Sequence, residues 1–218
     1  MGFMQFKSQI ISISGIDGCG KTTIIEKLRK SYKKQGFRNK YIWLRYNHYL
    51  TKFILLFCRL TGLTKYEYID GVRVGYHNFH KSVLISYLFI FFTFIDTLFI
   101  SIFKVYLPAL FLKEIIICDR WIPDIIVDLE IDTGINFTKN KFLFRIFLLL
   151  IPSSCRCFVI ERNQEAVLNS RVENAYDRNF QRRVQLYKKH SLSQWLCVID
   201  NNGTIQSSID SIQTELDK

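Results

Sequence analysis

Gln9-Ile10-Ile11-Ser12-Ile13-Ser14 runs directly into Gly15-Ile16-Asp17-Gly18-Cys19-Gly20-Lys21-Thr22-Thr23, and this stretch decides the fold. The first part is a short β-branched run with strand character. The second satisfies the pattern Gly-x4-Gly-Lys-Thr, and the segment from Thr22 to Gln35 carries Ile24, Ile25, Leu28 and Tyr32 at helical spacing. Strand, glycine-rich turn and helix are the context in which that pattern binds phosphates. Glycines let backbone N–H groups curl around an anion, and the helix N-terminus adds partial positive charge. Each position then has an expected part. Gly15, Gly18, Cys19, Gly20 and Thr23 belong to the cradle, Lys21 reaches the β- and γ-phosphates of ATP, and the Thr22 hydroxyl meets the Mg2+ that bridges them. The bland alternative is a chance match in a loop.

Working outward, further buried strands are expected at Tyr41–Leu44, Glu114–Cys118, Arg156–Ile160 and Trp195–Ile199. Helices are expected at Thr51–Leu60, over Ser82–Leu112 with a bend near Pro108, and at Lys139–Leu150, Gln164–Arg171, Arg183–Lys189 and Ile205–Leu216. Alternation of the two predicts an α/β domain with a parallel sheet of about five strands covered on both faces. With no repeat and no low-complexity linker, residues 1–218 read as one domain with the P-loop NTPase fold.

Asp119-Arg120 closes the Glu114–Cys118 strand. A carboxylate there sits beside the glycine-rich loop and can hold the Mg2+ shell through water, while the arginine faces an anion. A surface ion pair capping the strand is the plainer reading. Arg171, Arg178, Arg182 and Arg183 form a basic segment suited to a lid over a triphosphate, although a solvated helix face explains any one of them. Tyr66–Lys81 interleaves Arg73, Tyr76, His77, Phe79 and His80, a mixture that fits a base and its phosphate. His77 and His80 lack a third ligand for zinc.

The formal charge of +11 fits nucleic acid, an anionic membrane or nucleotides equally. Six cysteines without a Cys-x-x-Cys pair, and no cleavable leader, suit a reduced, cytoplasmic setting. Val83–Phe103 is apolar enough to span a bilayer, broken only by Asp96. A core helix gives the same profile, and a single crossing would separate two strands of one sheet.

GIDGCGKTT, the PAL of 108–110 spaced eight residues before Asp119-Arg120, FVIERNQEAVLNSR, FQRRVQLY and WLCVID together resemble the thymidylate kinases and their relatives. The likeness covers Gln9–Gln35 and, with gaps, Pro108 to the C-terminus. It implies transfer of the ATP γ-phosphoryl group to dTMP or a related nucleotide, with Mg2+, in a homodimer that binds no nucleic acid. By the same resemblance Asp17 contacts the acceptor sugar or orders the reacting phosphates, Arg120 binds the acceptor phosphate, and the segment 171–183 is the lid, with Arg183 the arginine assigned to transfer. The loop after Asp200 would border the adenine. The acceptor side departs from the family. The Arg-Glu-Pro loop is replaced by Trp43-Leu44-Arg45-Tyr46-Asn47, leaving Arg45 to supply a guanidinium, and the family's acceptor-binding arginine falls on Leu98. Arg73 and Tyr76 are the expected substitutes. A kinase of this fold with another small acceptor, and a membrane-attached nucleotide-binding protein, remain as alternatives.

Overall fold

Five parallel strands in the order β2-β5-β1-β6-β7 form the centre of the computed structural model, which describes residues 10–45, 49–69, 72–171, 173–192 and 195–218. The strands are β1 Ile10–Ser14, β2 Asn39–Trp43, β5 Ile115–Asp119, β6 Cys155–Glu161 and β7 Cys197–Asp200. All five expected strands are present, with ends shifted by one or two residues; Gln9 lies outside the described residues. Hydrogen-bond register pairs Ile13 with both Asp119 and Phe158, so the carboxyl ends of three strands stop side by side.

Alternation explains the two-sided burial. Ile11 and Ile13 of β1, Ile115 and Ile117 of β5 and Phe158 and Ile160 of β6 pack on one face. That face is covered by α1 (Lys21–Lys34), through Ile24, Ile25 and Leu28, and by α10 (Ile205–Leu216), through Ile209 and Ile212. The intervening residues Ile10, Ile116, Cys118, Cys157 and Val159 pack on the other face. Successive side chains on a strand point to opposite sides, so a strand buried on both must be apolar throughout. Each fully buried isoleucine contributes about 2 kcal/mol of transfer free energy. All six cysteines are free.

The second face is covered by a long helical run and by α5 (Ile122–Thr133), α6 (Lys141–Leu148) and α9 (Phe180–Ser191). The long run is α3 (Val83–Ile100), a π-helical stretch Ser101–Tyr106 and α4 (Leu107–Phe111). The expected bend at Pro108 is instead this widened turn just before it. Proline offers no N–H to the carbonyl four residues back and its ring needs room, so the preceding turn loosens to i→i+5 bonding.

Two elements were missing from the sequence expectation. Thr64–Ile69 (β3) and Val72–His77 (β4) form an antiparallel hairpin after α2 (Thr51–Leu60). Helix α5 follows Arg120 directly, with Pro123 in its first turn and Gly134 in the left-handed conformation at its end. The segment 171–183 is also more ordered than a loop. It holds α8 (Glu173–Tyr176), after α7 (Gln164–Ser170), and the start of α9, which takes in Arg182 and Arg183.

Val83–Phe111 is 29 residues long and holds an 18-residue window with a mean hydropathy of 2.3, enough to cross a membrane by length and composition. Yet β2 and β5, which precede and follow it, are hydrogen-bonded neighbours. The helix therefore leaves one edge of the sheet and returns to the same sheet.

Candidate active site

The loop after β1 leaves the sheet at the point where connections diverge to either side, the usual crevice for ligands in such folds. Gly15 and Gly20 hold φ of +134° and +100°. A Cβ on Gly15 would lie 2.7 Å from the Ile160 carbonyl oxygen, and one on Gly20 would lie 2.4 Å from Asn201 Nδ2. No other residue fits either place. The loop's carbonyls are bound from outside. Asp17 O accepts from Asn174 Nδ2 at 2.7 Å, Gly18 O from Ser170 Oγ at 3.0 Å and Cys19 O from Asn201 Nδ2 at 2.7 Å. Helix α1 begins without a side-chain cap, so its first N–H groups open toward an incoming anion. Lys21 crosses the loop, its Nζ donating to Gly15 O at 2.9 Å and Ile16 O at 2.6 Å. Thr22 and Thr23 are exposed, whereas burial of Cys19 pushes its thiol pKa up.

Asp119 ends β5 beside this loop. Its Oδ2 accepts from the Tyr41 hydroxyl at 2.9 Å, and its Oδ1 is buried without a hydrogen-bond partner. Burial raises this carboxyl's pKa, against the Tyr41 hydrogen bond and the Lys21 charge. Among the described residues no group of three or more His, Cys, Asp or Glu could hold a metal. A carboxylate with one oxygen lacking a hydrogen-bond partner, and the exposed Thr22 hydroxyl, instead suit a cation that keeps most of its waters, as Mg2+ does.

Arg120 follows with φ +63°, a left-handed conformation uncommon for a residue with a side chain. It is fixed on both sides. Its N–H donates to Ile13 O at 3.1 Å, and Trp121 is fully buried with Nε1 donating to Ser101 Oγ at 3.1 Å. The turn aims the Arg120 guanidinium between Asp17, with which it pairs, and Asp124, at 3.0 Å. Arg45 lies 3.0 Å from the second oxygen of Asp17 and 3.3 Å from Asp128. Arg183 also pairs with Asp128.

Asp17, Arg45, Arg120 and Arg183 thus come together from four separate elements. Burial alone would raise the Asp17 carboxyl, but Arg120, Lys21 and Arg45 outweigh it and hold the pKa down at about 2. Asp128 is lowered in the same way: burial opposes, while Arg45 and Arg183 prevail.

Beside this cluster a cavity of about 330 Å³ opens between α3, α5 and the hairpin. Arg45 and Arg120 reach it, Leu55, Phe89, Ile125 and Leu129 give it apolar walls, and Thr93, Asp124, Asp128 and Asp132 add polar groups. A second cavity of about 250 Å³ lies under the 173–183 segment, bordered by Asp17, Asn174 and Arg183. A third, of about 670 Å³, runs from Ile16 and Cys19 past Arg162 and Lys188 to Asp200 and Asn202. The loop after Asp200 therefore borders a groove that begins at the glycine-rich loop.

The remaining candidates divide. From the hairpin, Tyr66, Gly75 and His77 line the cavity. Tyr76 points to the opposite face, its hydroxyl donating to Tyr176 O at 3.1 Å and its ring 5.0 Å from the Arg178 guanidinium. Arg178 also pairs with Glu67 at 2.7 Å. Alternation along β4 is the reason: Gly75 and His77 face one way and Tyr76 the other. The Arg73 side chain lies outside the described residues, as do Tyr46 and Asn47. Leu98 packs into the core and not toward the cavity. Asp96 is spent on α2, accepting from the backbone N–H groups of Tyr49, Leu50 and Thr51 at 3.0, 2.9 and 2.9 Å. Among the four basic-segment arginines, Arg183 alone reaches the cluster. Arg182 donates to Glu130 O at 2.9 Å, Arg178 serves the hairpin, and Arg171 is exposed.

Asp124, Asp128 and Asp132 were not among the sequence candidates. Their spacing of four residues in Ile122–Thr133 places them on one helical face, and that signal was present once the segment is read as a helix. No family model and no curated protein matches the chain.

Proposed function

We propose that this chain is an ATP-dependent phosphotransferase with the P-loop NTPase fold, of the thymidylate kinase type, that phosphorylates a nucleoside monophosphate. The observation that carries the reading is the convergence of Arg45, Arg120 and Arg183 on Asp17 and Asp128, between the glycine-rich loop and the 330 Å³ cavity. Three guanidiniums beside a loop whose carbonyls face outward make a pocket for two anionic groups at once. A single nucleotide would not need both sides.

In this reading the donor phosphates lie on the N–H groups of residues 15–23 and compete with two carbonyls for the Lys21 ammonium. The acceptor lies in the cavity with its phosphate against Arg120 and Arg45. Arg183, carried on α9, closes from the lid side. Thr22 and the Asp119 carboxylate would hold Mg2+, the latter through water, and that ion would supply neutralisation of phosphate charge. An acceptor phosphate is already ionised, so the work left to the protein is alignment and charge stabilisation. Asp17 pairs with both Arg45 and Arg120 and so fixes where the two guanidiniums stand.

Incubation with Mg-ATP and a panel of nucleosides and monophosphates, with ADP release as the readout, tests the reading. Stimulation by at least one monophosphate is expected, and no stimulation by any acceptor overturns it.

A homodimer is the expected assembly, and α2 with α3 offers the face. Leu60 is 79% exposed, Leu84 68%, Phe91 56% and Phe103 62%. Exposed apolar side chains of this kind are what a two-fold interface between copies would cover.

A further inference from the structure

Helix α5 brings an aspartate to the wall of the 330 Å³ cavity at each of three successive turns, and the protein provides partners for two of them. Asp124 accepts from Arg120 at 3.0 Å and from the Tyr187 hydroxyl. Asp128 pairs with Arg45 at 3.3 Å and with Arg183. Among the described residues no hydrogen bond or ion pair reaches the Asp132 carboxylate. Nor is it sealed off. Asp132 is partly exposed, and it lines both the 330 Å³ cavity and the one of about 250 Å³ under the 173–183 segment. Arg45, Gly75, His77 and Asp128 also line both, so the two cavities adjoin along this wall. A carboxylate held inside a protein without a donor carries a cost until something donates to it. Burial, and then the Asp128 charge, hold this carboxyl toward its neutral form, and a donor from a ligand would favour the anion.

Its place on the helix restricts the ligand group. Asp132 stands two turns beyond Asp124, about 12 Å along the axis at 1.5 Å per residue. Asp124 is the partner of Arg120, so a phosphate held against Arg120 lies toward the other end of the wall. A carboxylate would also repel that phosphate. What reaches Asp132 is the nucleoside part of the acceptor. An ionised carboxylate accepts hydrogen bonds and donates none. Resting on the acceptor site proposed for the kinase, we infer that Asp132 is a further acceptor-binding residue, its carboxylate taking a hydrogen bond from an O–H or N–H of the nucleoside. A sugar hydroxyl and a base N–H share that chemistry. In either case Asp132 acts on acceptor affinity and leaves the donor side alone.

The test uses the full chain and the fastest acceptor among dTMP, dCMP, UMP and AMP. Two analogues of that acceptor accompany it, one without the sugar 2′- and 3′-hydroxyls and one methylated so that the base N–H is lost. Asp132→Asn keeps the shape and removes the charge. It should raise KM for the acceptor about tenfold or more and leave KM for ATP unchanged, because hydrogen bonds to charged groups are the strong ones. The variant should melt no lower than the native chain at pH 7, which separates the effect from loss of fold. One of the two analogues should lose a similar factor in the native chain, and Asp132→Asn should abolish its difference from the parent acceptor. A loss with the dehydroxylated analogue identifies a sugar hydroxyl and a loss with the methylated one a base N–H; either upholds the inference. An unchanged acceptor KM in Asp132→Asn, or analogue losses that are the same in native chain and variant, overturns it and leaves the kinase reading standing. If no acceptor is phosphorylated the kinase reading falls, and equilibrium binding of dTMP and AMP to the native chain and to Asp132→Asn decides the inference alone. Weaker binding to the variant upholds it, and equal or absent binding overturns it.

Discussion

The Tyr41 hydroxyl donates to Oδ2 of Asp119 at 2.9 Å and leaves the other carboxylate oxygen buried without a hydrogen-bond partner. The strand β2 thereby orients a carboxylate on β5 that the sequence ties only to its own strand. Asp119→Asn should raise the Mg2+ concentration needed for half-maximal ATP turnover by about tenfold or more, since orienting and coordinating groups around a metal commonly carry that much. A Mg2+ titration at fixed ATP measures it. Tyr41→Phe should instead lower stability by about 1–2 kcal/mol in urea, because it strips a partly buried carboxylate of its donor.

Arg183 and Asp128 are coupled more tightly. Removing the guanidinium with Arg183→Met leaves Asp128 with Arg45 alone. A loss of about 1–2 kcal/mol is expected from a partly buried charge that loses one of its partners. Adding Asp128→Asn should restore much of it. A double-mutant cycle by chemical denaturation shows the coupling, and additive losses would contradict it.

Asp132 gives a pH signature. Burial, and then the neighbouring Asp128 charge, push its carboxyl pKa well above the ordinary value, with Arg183, Arg45 and Arg182 pulling the other way. The folded state therefore favours the neutral acid. This contribution is fully present below the unfolded pKa and is lost as pH rises through the folded one. Asp132→Asn, which stays neutral, should raise the thermal midpoint at pH 7 and change it little at pH 4. Thermal scans at the two pH values decide the point, and an equal shift at both would contradict it.

The segment 173–183 is tied to the hairpin by Tyr76 on Tyr176 and by Arg178 on Glu67. Tyr76→Phe with Arg178→Ala should speed amide exchange over 173–180 while leaving β1, β5 and β6 protected. Unchanged exchange there would mean that the hairpin does not restrain the segment.

The exposed stripe on α2 and α3 makes the oligomeric state testable. Light scattering should give twice the chain mass for the native protein, and Leu84→Glu with Phe91→Glu should give the monomer with the fold intact by circular dichroism. A native monomer would contradict the dimer.

Much of this protein was legible in residues 9–35, because a strand, a glycine-rich turn and an amphipathic helix are each set by local rules. Positive φ at Gly15 and Gly20, and the inward set Ile24, Ile25 and Leu28, follow from the sequence alone. The five strands were legible for the same reason, since segments buried on both faces are apolar without interruption. The hairpin was legible too, with Asp70-Gly71 between two alternating runs, but its aromatic and cationic content drew the reading toward a ligand pocket. Tertiary structure decided what each candidate does. Arg45, Arg120, Arg183 and Asp17 lie on different elements, and only the parallel register that ends β1 and β5 together brings them within bonding distance. Tyr76 and Leu98 were turned away from the cavity by strand alternation and core packing, whereas Thr93 and Asp124 were turned toward it. A local pattern fixes which way a residue faces on its own element. Which other element stands opposite is settled by how the layers pack, and the cavity beside the Asp17–Arg120 cluster is made wholly of such oppositions.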